Sequence, residues 1–266
     1  MFVLQNLILI SIGVNMKKLT EKDIKNLKIA VIVGVVVAII GATAILSATY
    51  YTGWSGFHFY DKAEEGDMKI ACVGDSITYG FGVNDWGNCN YPKQLDTLLG
   101  NGYCVNNYGH SGATVQADGD QPYYEYSEYK KSLEFDADIL ILMMGTNDSK
   151  PYNWVDNATF KAKYVELINK YKEQNPNIRV ILMTPATSYM IEDGVDGLTS
   201  FDISPERCDV IAQIVREIAS EYGYELIDIN LATKGNQALF TDDLVHPNND
   251  GATLIANTVY EYLKNN

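Results

Sequence analysis

The chain has 266 residues, 47% hydrophobic and 20% charged, enough to bury a domain-sized core and unlike a disordered or fibrous chain. Its formal net charge is −14; residues 1–28 carry five lysines against Glu21 and Asp23, which leaves 15 basic and 32 acidic residues for the remainder. A body with that balance repels phosphate backbones and argues against nucleic acid as a partner.

Residues 1–15 are apolar but too short to span a bilayer, and Met16-Lys17-Lys18 reads as the start of an exported chain, so translation is expected to begin at Met16. Lysines 17, 18, 22, 25 and 28 then precede Ile29–Ser47, which holds no charge. The pattern predicts a short cytoplasmic segment over 1–28 and a transmembrane helix or signal anchor over 29–48, with the remainder outside the cytoplasm. Ala42-Thr43-Ala44 resembles a cleavage site, so secretion after cleavage is the alternative. Residues 49–66, rich in aromatic residues and glycine, read as a linker, with His58 as a surface histidine. The body is expected over 67–266.

In the body, short apolar runs alternate with longer amphipathic stretches. Lys69–Val73, Tyr103–Asn107, Ile139–Met143, Arg179–Met183 and Glu225–Ile229 are expected strands, apolar throughout as in a parallel sheet covered on both faces. Helices are expected at Tyr91–Leu99, at Thr159–Tyr171, after the Ser204-Pro205 cap and at about Ala252–Leu263. Strands separated by helices predict an α/β fold, a three-layer α/β/α sandwich with a central parallel sheet. Cys72, Cys89, Cys104 and Cys208 show no zinc spacing and are expected as free thiols, since a chain of this length needs no staples.

Ligands in such folds bind beyond the carboxyl ends of the strands. Three polar blocks stand there. Gly74-Asp75-Ser76 follows the first strand and offers a hydroxyl on a strand-to-helix turn, which Asp75 can brace. Asn107–Thr114, with Gly109, Ser111 and Gly112, follows the second and offers backbone N–H donors. Gly145-Thr146-Asn147-Asp148 follows the third, and Asn147 carries a side-chain donor. A serine hydroxyl needs a base. Of three histidines, His58 is in the linker, His110 is in the glycine loop, and His246 has Asp243 three residues upstream, with Asp242 as a substitute. Asn147-Asp148-Ser149 and Asn157-Ala158-Thr159 also match glycosylation sequons; the first is read as accidental.

With those four blocks in order, the stretch from about Met68 to Leu263 resembles the SGNH hydrolases, or GDSL esterase/lipase family. The resemblance implies a flavodoxin-like fold and a serine ester hydrolase without metal or organic cofactor. Ser76, His246 and Asp243 match its catalytic set, and Ser76, Gly112 and Asn147 its oxyanion hole, with Gly109 as a rival to Gly112. The first block reads Gly-Asp-Ser-Ile, a conservative departure from the leucine of the family name. Gly119–Tyr124, Gly145–Pro151 and Trp154 look more loosely like sialate or carbohydrate O-acetylesterases. The expected substrate is therefore an acetylated extracellular carbohydrate, and Tyr123, Tyr124, Tyr126 and Tyr129 are either stacking residues or helix-face packing. Alternatives are a lipase or lysophospholipase-type esterase, a non-catalytic binding domain, and a metal-dependent phosphoesterase using Asp75, Asp148 and His246.

Overall fold

The computed structural model describes residues 20–52, 60–190, 197–199 and 201–266. The expected start at Met16 and His58 lie outside the described residues, as does residues 53–59 of the linker. The chain divides into an N-terminal unit ending at Ala48 and a body from Thr49 onwards.

In the N-terminal unit, helix α1 spans Glu21–Thr52. It starts at a reciprocal cap: the Asp23 N–H donates to Thr20 Oγ1, and the Thr20 N–H donates to the Asp23 carboxylate. Ile32, Val33, Val37 and Ile40 are all more than half exposed. Its stretch Glu21–Thr43 is long and apolar enough to cross a membrane; at about 1.5 Å per residue it covers roughly 35 Å, against a hydrocarbon core of about 30 Å.

The body is built on five parallel strands: β1 (Met68–Gly74), β2 (Tyr103–Gly109), β3 (Ile139–Met143), β4 (Arg179–Met183) and β5 (Glu225–Ile227), in the order β2-β1-β3-β4-β5. Alternate residues face opposite ways along a strand, which divides the core in two. Ala71, Val73, Leu140, Leu142, Val180 and Leu182 meet Phe160, Tyr164 and Ile168 of one helix, α6 (Asn157–Gln174), and Ile211, Val215 and Ile218 of another, α7 (Pro205–Tyr222). Ile70, Cys72, Ile141, Met143 and Ile181 meet Tyr91 and Leu95 of α4 (Tyr91–Leu99) and Ile255 and Val259 of α9 (Asn249–Asn265). The three-layer sandwich is as expected. A fully buried leucine such as Leu142 contributes about 1.5–3 kcal/mol of transfer free energy, so truncation there costs roughly 2–5 kcal/mol.

The shorter helices are α2 (Ser76–Tyr79), α3 (Trp86–Cys89), α5 (Ser127–Glu134) and α8 (Ile229–Thr233). The expected fifth strand stops two residues early. The Asp228 carboxylate accepts the Leu231 N–H and caps α8, while Arg216 grips both of its oxygens at 2.8 and 2.9 Å. Capping at this position wins over continued pairing. All four cysteines are free thiols, as expected.

The chain leaves β1 for the edge strand β2 and returns to β3 on the other side of β1. The carboxyl ends of these three strands therefore flank a crevice at the point where the winding reverses.

Candidate active site

Asp75 follows β1 directly. Its Oδ1 accepts the Ile77 N–H at 2.9 Å and starts α2, which makes Ser76 the first helical residue beyond β1. Ser76 and His246 are each 5% exposed, and Ser76 Oγ lies 2.9 Å from His246 Nε2. His246 Nδ1 lies 2.8 Å from Asp243 Oδ2, and Asp243 Oδ1 accepts the N–H groups of Val245 and His246, each at 2.8 Å. Asp242 is not the partner of the ring. A proton on Nδ1 is donated to Asp243, which leaves Nε2 to accept from the serine hydroxyl. Burial opposes ionisation of Asp243, but the hydrogen bonds and charge of His246 and the two backbone donors outweigh it and hold the carboxyl at about 2.

This turn is tightly wound. Leu244 has φ +58°, a left-handed conformation that a branched side chain adopts only when its surroundings impose it. Here the Leu244 N–H donates to Thr241 O, the Leu244 carbonyl accepts from Tyr189 N–H, and Thr241 N–H donates to His246 O. The ring of His246 is held from the side by Phe81, with centroids 4.5 Å apart, and by Phe201 at 5.2 Å.

The loop after β2 resolves the choice between the two glycines. The Gly109 N–H is taken by Asn107 Oδ1 at 2.9 Å, and a Cβ on Gly109 would fall 2.2 Å from Tyr79 N. Gly109 therefore serves the packing of α2 on β2. Gly112, at φ +85°, lines the cavity beside Ser76, and among the described residues nothing accepts its N–H.

Asn147 starts a short 3-10 turn after β3 and is 5% exposed. Its Nδ2 donates to Ala113 O at 3.2 Å, which leaves one amide hydrogen free for the cavity. Burial at this depth leaves no room for a glycan. Asp148 is fully buried, and its oxygens accept the N–H groups of Val115 and Gln116 at 3.0–3.1 Å, tying the β3 loop to the β2 loop. Burial pushes the Asp148 carboxyl up to about 7, against the pull of those two donors. Burial likewise raises the Asp75 carboxyl. Among the described residues no group of three or more His, Cys, Asp or Glu side chains is placed to hold a metal ion.

His110 is drawn elsewhere: its Nδ1 lies 3.3 Å from Glu128 Oε2, and its ring stacks on Tyr126. Tyr123 is buried with its hydroxyl on Tyr108 O, Tyr124 donates to Ala117 O, and Tyr129 packs edge-on against Tyr123 and Tyr171. None of these tyrosines lines the cavity that holds Ser76; only Tyr129 lies on a helix face, Tyr123 is buried in the preceding 3-10 turn, and Tyr124 is exposed. Trp154 lies against Phe160 and the Arg207 guanidinium.

The cavity measures about 210 Å³ and is lined by Ser76, Ser111, Gly112, Gln121, Thr146, Asn147, Lys150 and His246, with Phe81, Phe201, Ile203 and Val245 as an apolar wall. The phenylalanines escaped sequence reading, because they come from irregular segments without periodicity. A hydroxyl on an acid-backed imidazole, facing a free backbone N–H and a free amide hydrogen, is equipped to attack a carbonyl and stabilise the oxyanion that forms.

A curated acetylxylan esterase from Xylanibacter ruminicola is 31% identical over 219 residues, 76% of this chain. The chain spans 44% of that protein's length. Similar solved structures share the fold at low identity. An aryl esterase from M. smegmatis has a TM-score of 0.60 at 17% identity, covering 74% of this chain and 98% of its own. A carbohydrate acetylesterase from Sinorhizobium meliloti has a TM-score of 0.59 at 16%, covering 75% and 99%. A lipase/acylhydrolase from Enterococcus faecalis has a TM-score of 0.59 at 21%, covering 74% and 95%. The profile of the GDSL-like Lipase/Acylhydrolase family matches residues 72–254, a span that holds every side chain of the cavity, and the chain belongs to that family of ester-bond hydrolases.

Proposed function

We propose that the protein is a serine esterase that removes O-acetyl groups from carbohydrate through an acyl-enzyme, outside the cytoplasm, with α1 as its membrane anchor. The observation that carries the chemistry is the hydrogen-bonded series from Ser76 Oγ through His246 to Asp243, opening on a small cavity. Ser76 Oγ attacks the ester carbonyl as His246 Nε2 takes its proton. The oxyanion rests against the N–H groups of Ser76 and Gly112 and the amide of Asn147. His246 then protonates the leaving alcohol, and water, activated by the same imidazole, hydrolyses the acyl-enzyme. Asp243 keeps the imidazole in the required tautomer and stabilises its cationic form.

The cavity volume of about 210 Å³ favours a short acyl group, since pockets for drug-sized ligands run from about 300 to 1,000 Å³. The acetylxylan esterase relative supports a carbohydrate as the alcohol. Exported orientation rests on the lysines that precede the apolar stretch of α1.

A fluorophosphonate should label Ser76 in the wild type and leave Ser76→Ala unlabelled, with turnover of acetyl esters lost in the same variant. Full turnover by Ser76→Ala removes the serine mechanism, and absence of labelling with no turnover on any ester favours a binding domain. Initial rates on acetylated xylo-oligosaccharides and on 4-nitrophenyl esters of rising chain length test the substrate. Clear preference for long acyl chains replaces the carbohydrate reading with a lipase. Protease digestion of intact cells tests orientation: the body should be cut while the lysine-rich N-terminus survives.

A further inference from the structure

Two stretches distant in sequence meet at the polar edge of the cavity. The Asp120 N–H donates to Asn153 Oδ1 and Asn153 Nδ2 returns to Asp120 Oδ1, both at 2.8 Å; Asn153 Nδ2 also reaches Asn147 O at 2.9 Å. Gln116 holds the Asn153 carbonyl from behind. On this frame the Lys150 ammonium lies 3.3 Å from Asp120 Oδ2. The Lys150 side chain is only 9% exposed, and it lines the cavity that contains Ser76 and Asn147.

The pair is only partly buried, since the Asp120 side chain is 32% exposed, and a solvent-screened ion pair of this kind is a weak device for stability. What it supplies is hydrogen bonding. An ammonium has three N–H donors. Among the described residues, Asp120 is the one carboxylate within ion-pair distance of Lys150, and the ring of Tyr152 lies 5.8 Å from Nζ. The pair is neutral as a whole, so it suits a neutral hydroxyl, which accepts from the ammonium, better than an anion. Gln121, next to Asp120, lines the same side, with its amide packed against Gly112. The lining side chains of Phe81, Phe201, Ile203 and Val245 carry no polar group to offer a hydroxyl.

We infer that Lys150, braced by Asp120, is a specificity-determining residue that donates a hydrogen bond to a ring hydroxyl of the alcohol whose acetyl ester is cleaved. This rests on the carbohydrate esterase reading and adds the residue that recognises the sugar. An ester of a hydroxyl-free alcohol would leave the ammonium short of an acceptor when it displaces water from the cavity, and that is the source of discrimination.

The test compares kcat/KM of the full chain, in detergent, on a mono-O-acetylated methyl xyloside and on cyclohexyl acetate, which lacks the ring hydroxyls. Wild type should favour the xyloside at least tenfold. Lys150→Met should shrink that preference at least tenfold, chiefly through KM, and Lys150→Arg should restore part of it. A wild type indifferent to the hydroxyls overturns the inference without any variant, which covers the case of a Met variant that fails to fold. Equal losses on both esters in Lys150→Met also overturn it, since they mark a merely structural support of the Asn147 loop. A preference seen only with an acetylated uronate overturns the neutral-hydroxyl assignment. Failure of the carbohydrate reading is recognised separately: wild type then cleaves long-chain esters and neither of the two acetates well.

Discussion

Asp148 makes stability depend on pH in a sense opposite to most carboxylates. Its folded-state value of about 7 stands roughly three units above the ordinary 3.8. Below about pH 4 the carboxyl is protonated in both the folded and unfolded chain and contributes no pH dependence. Between pH 4 and 7 the unfolded chain ionises while the folded chain stays protonated, so stability falls as pH rises. At about 1.36 kcal/mol per unit the total is on the order of 4 kcal/mol, complete above pH 7. Asp148→Asn removes the titration while keeping the Oδ1 contacts to Val115 and Gln116. An amide in place of Oδ2 opposes one donor to another at Val115, at a constant cost of about 1 kcal/mol. The assay is urea denaturation of wild type and variant in detergent at pH 4, 5, 6, 7 and 8. The variant should be slightly less stable at pH 4 and gain on the wild type by about 4 kcal/mol up to pH 7.5. Asp243 titrates with the opposite sign, its stabilisation present above pH 4 and lost as pH falls towards 2, so it lies outside this window. A difference that stays flat within about 1 kcal/mol between pH 4 and 8 refutes the reasoning and places the Asp148 carboxylate as ionised throughout.

Removing the side-chain donor in Asn147→Ala should lower kcat by about 10²–10³ on acetyl esters with little change in KM, as read from steady-state rates. Asp243→Asn presents an amide that no longer fixes the tautomer of His246; kcat should fall by about 10⁴, and loss of only a few-fold would show that the backbone donors alone hold the ring. The two glycines should separate cleanly. Gly109→Ala pushes a Cβ into the Tyr79 backbone and should destabilise the body by several kcal/mol in denaturation, whereas Gly112→Ala carries the strain of a Cβ at φ +85°, about 1–2 kcal/mol, meets the movable Gln121 amide, and should lower activity more than stability.

The sheet was legible because β1, β3 and β4 are apolar on both faces, a pattern that burial on two sides imposes on the sequence directly. Ser76, Asn147 and His246 were legible because each had a chemical task and a place at a strand end or before the last helix. Less was visible where a residue's partner is remote. Asp228 sits in an alternating stretch that reads as strand, and its capping role depends on Arg216 twelve residues earlier. The choice between Gly109 and Gly112 turned on Asn107, whose side-chain oxygen accepts the Gly109 N–H and leaves that glycine no donor for a ligand. Lys150 and Asp120 are thirty residues apart, and no periodicity joins them.

The two walls of the cavity have a consequence for how such an enzyme diverges. Ser76, Asn147 and His246 are held by the end of β1, the end of β3 and the Asp243 turn, whereas Phe81, Gln121, Phe201 and Ile203 come from connecting segments that carry no strand. Apart from Lys150, which follows Asn147 on the same loop, the residues that shape the pocket and those that cleave the bond are therefore written in separate stretches of chain. Substitution in the connecting segments can retune which ester is accepted while the attacking group, its base and the oxyanion donors stay in register, so drift in substrate range need not pass through an inactive intermediate.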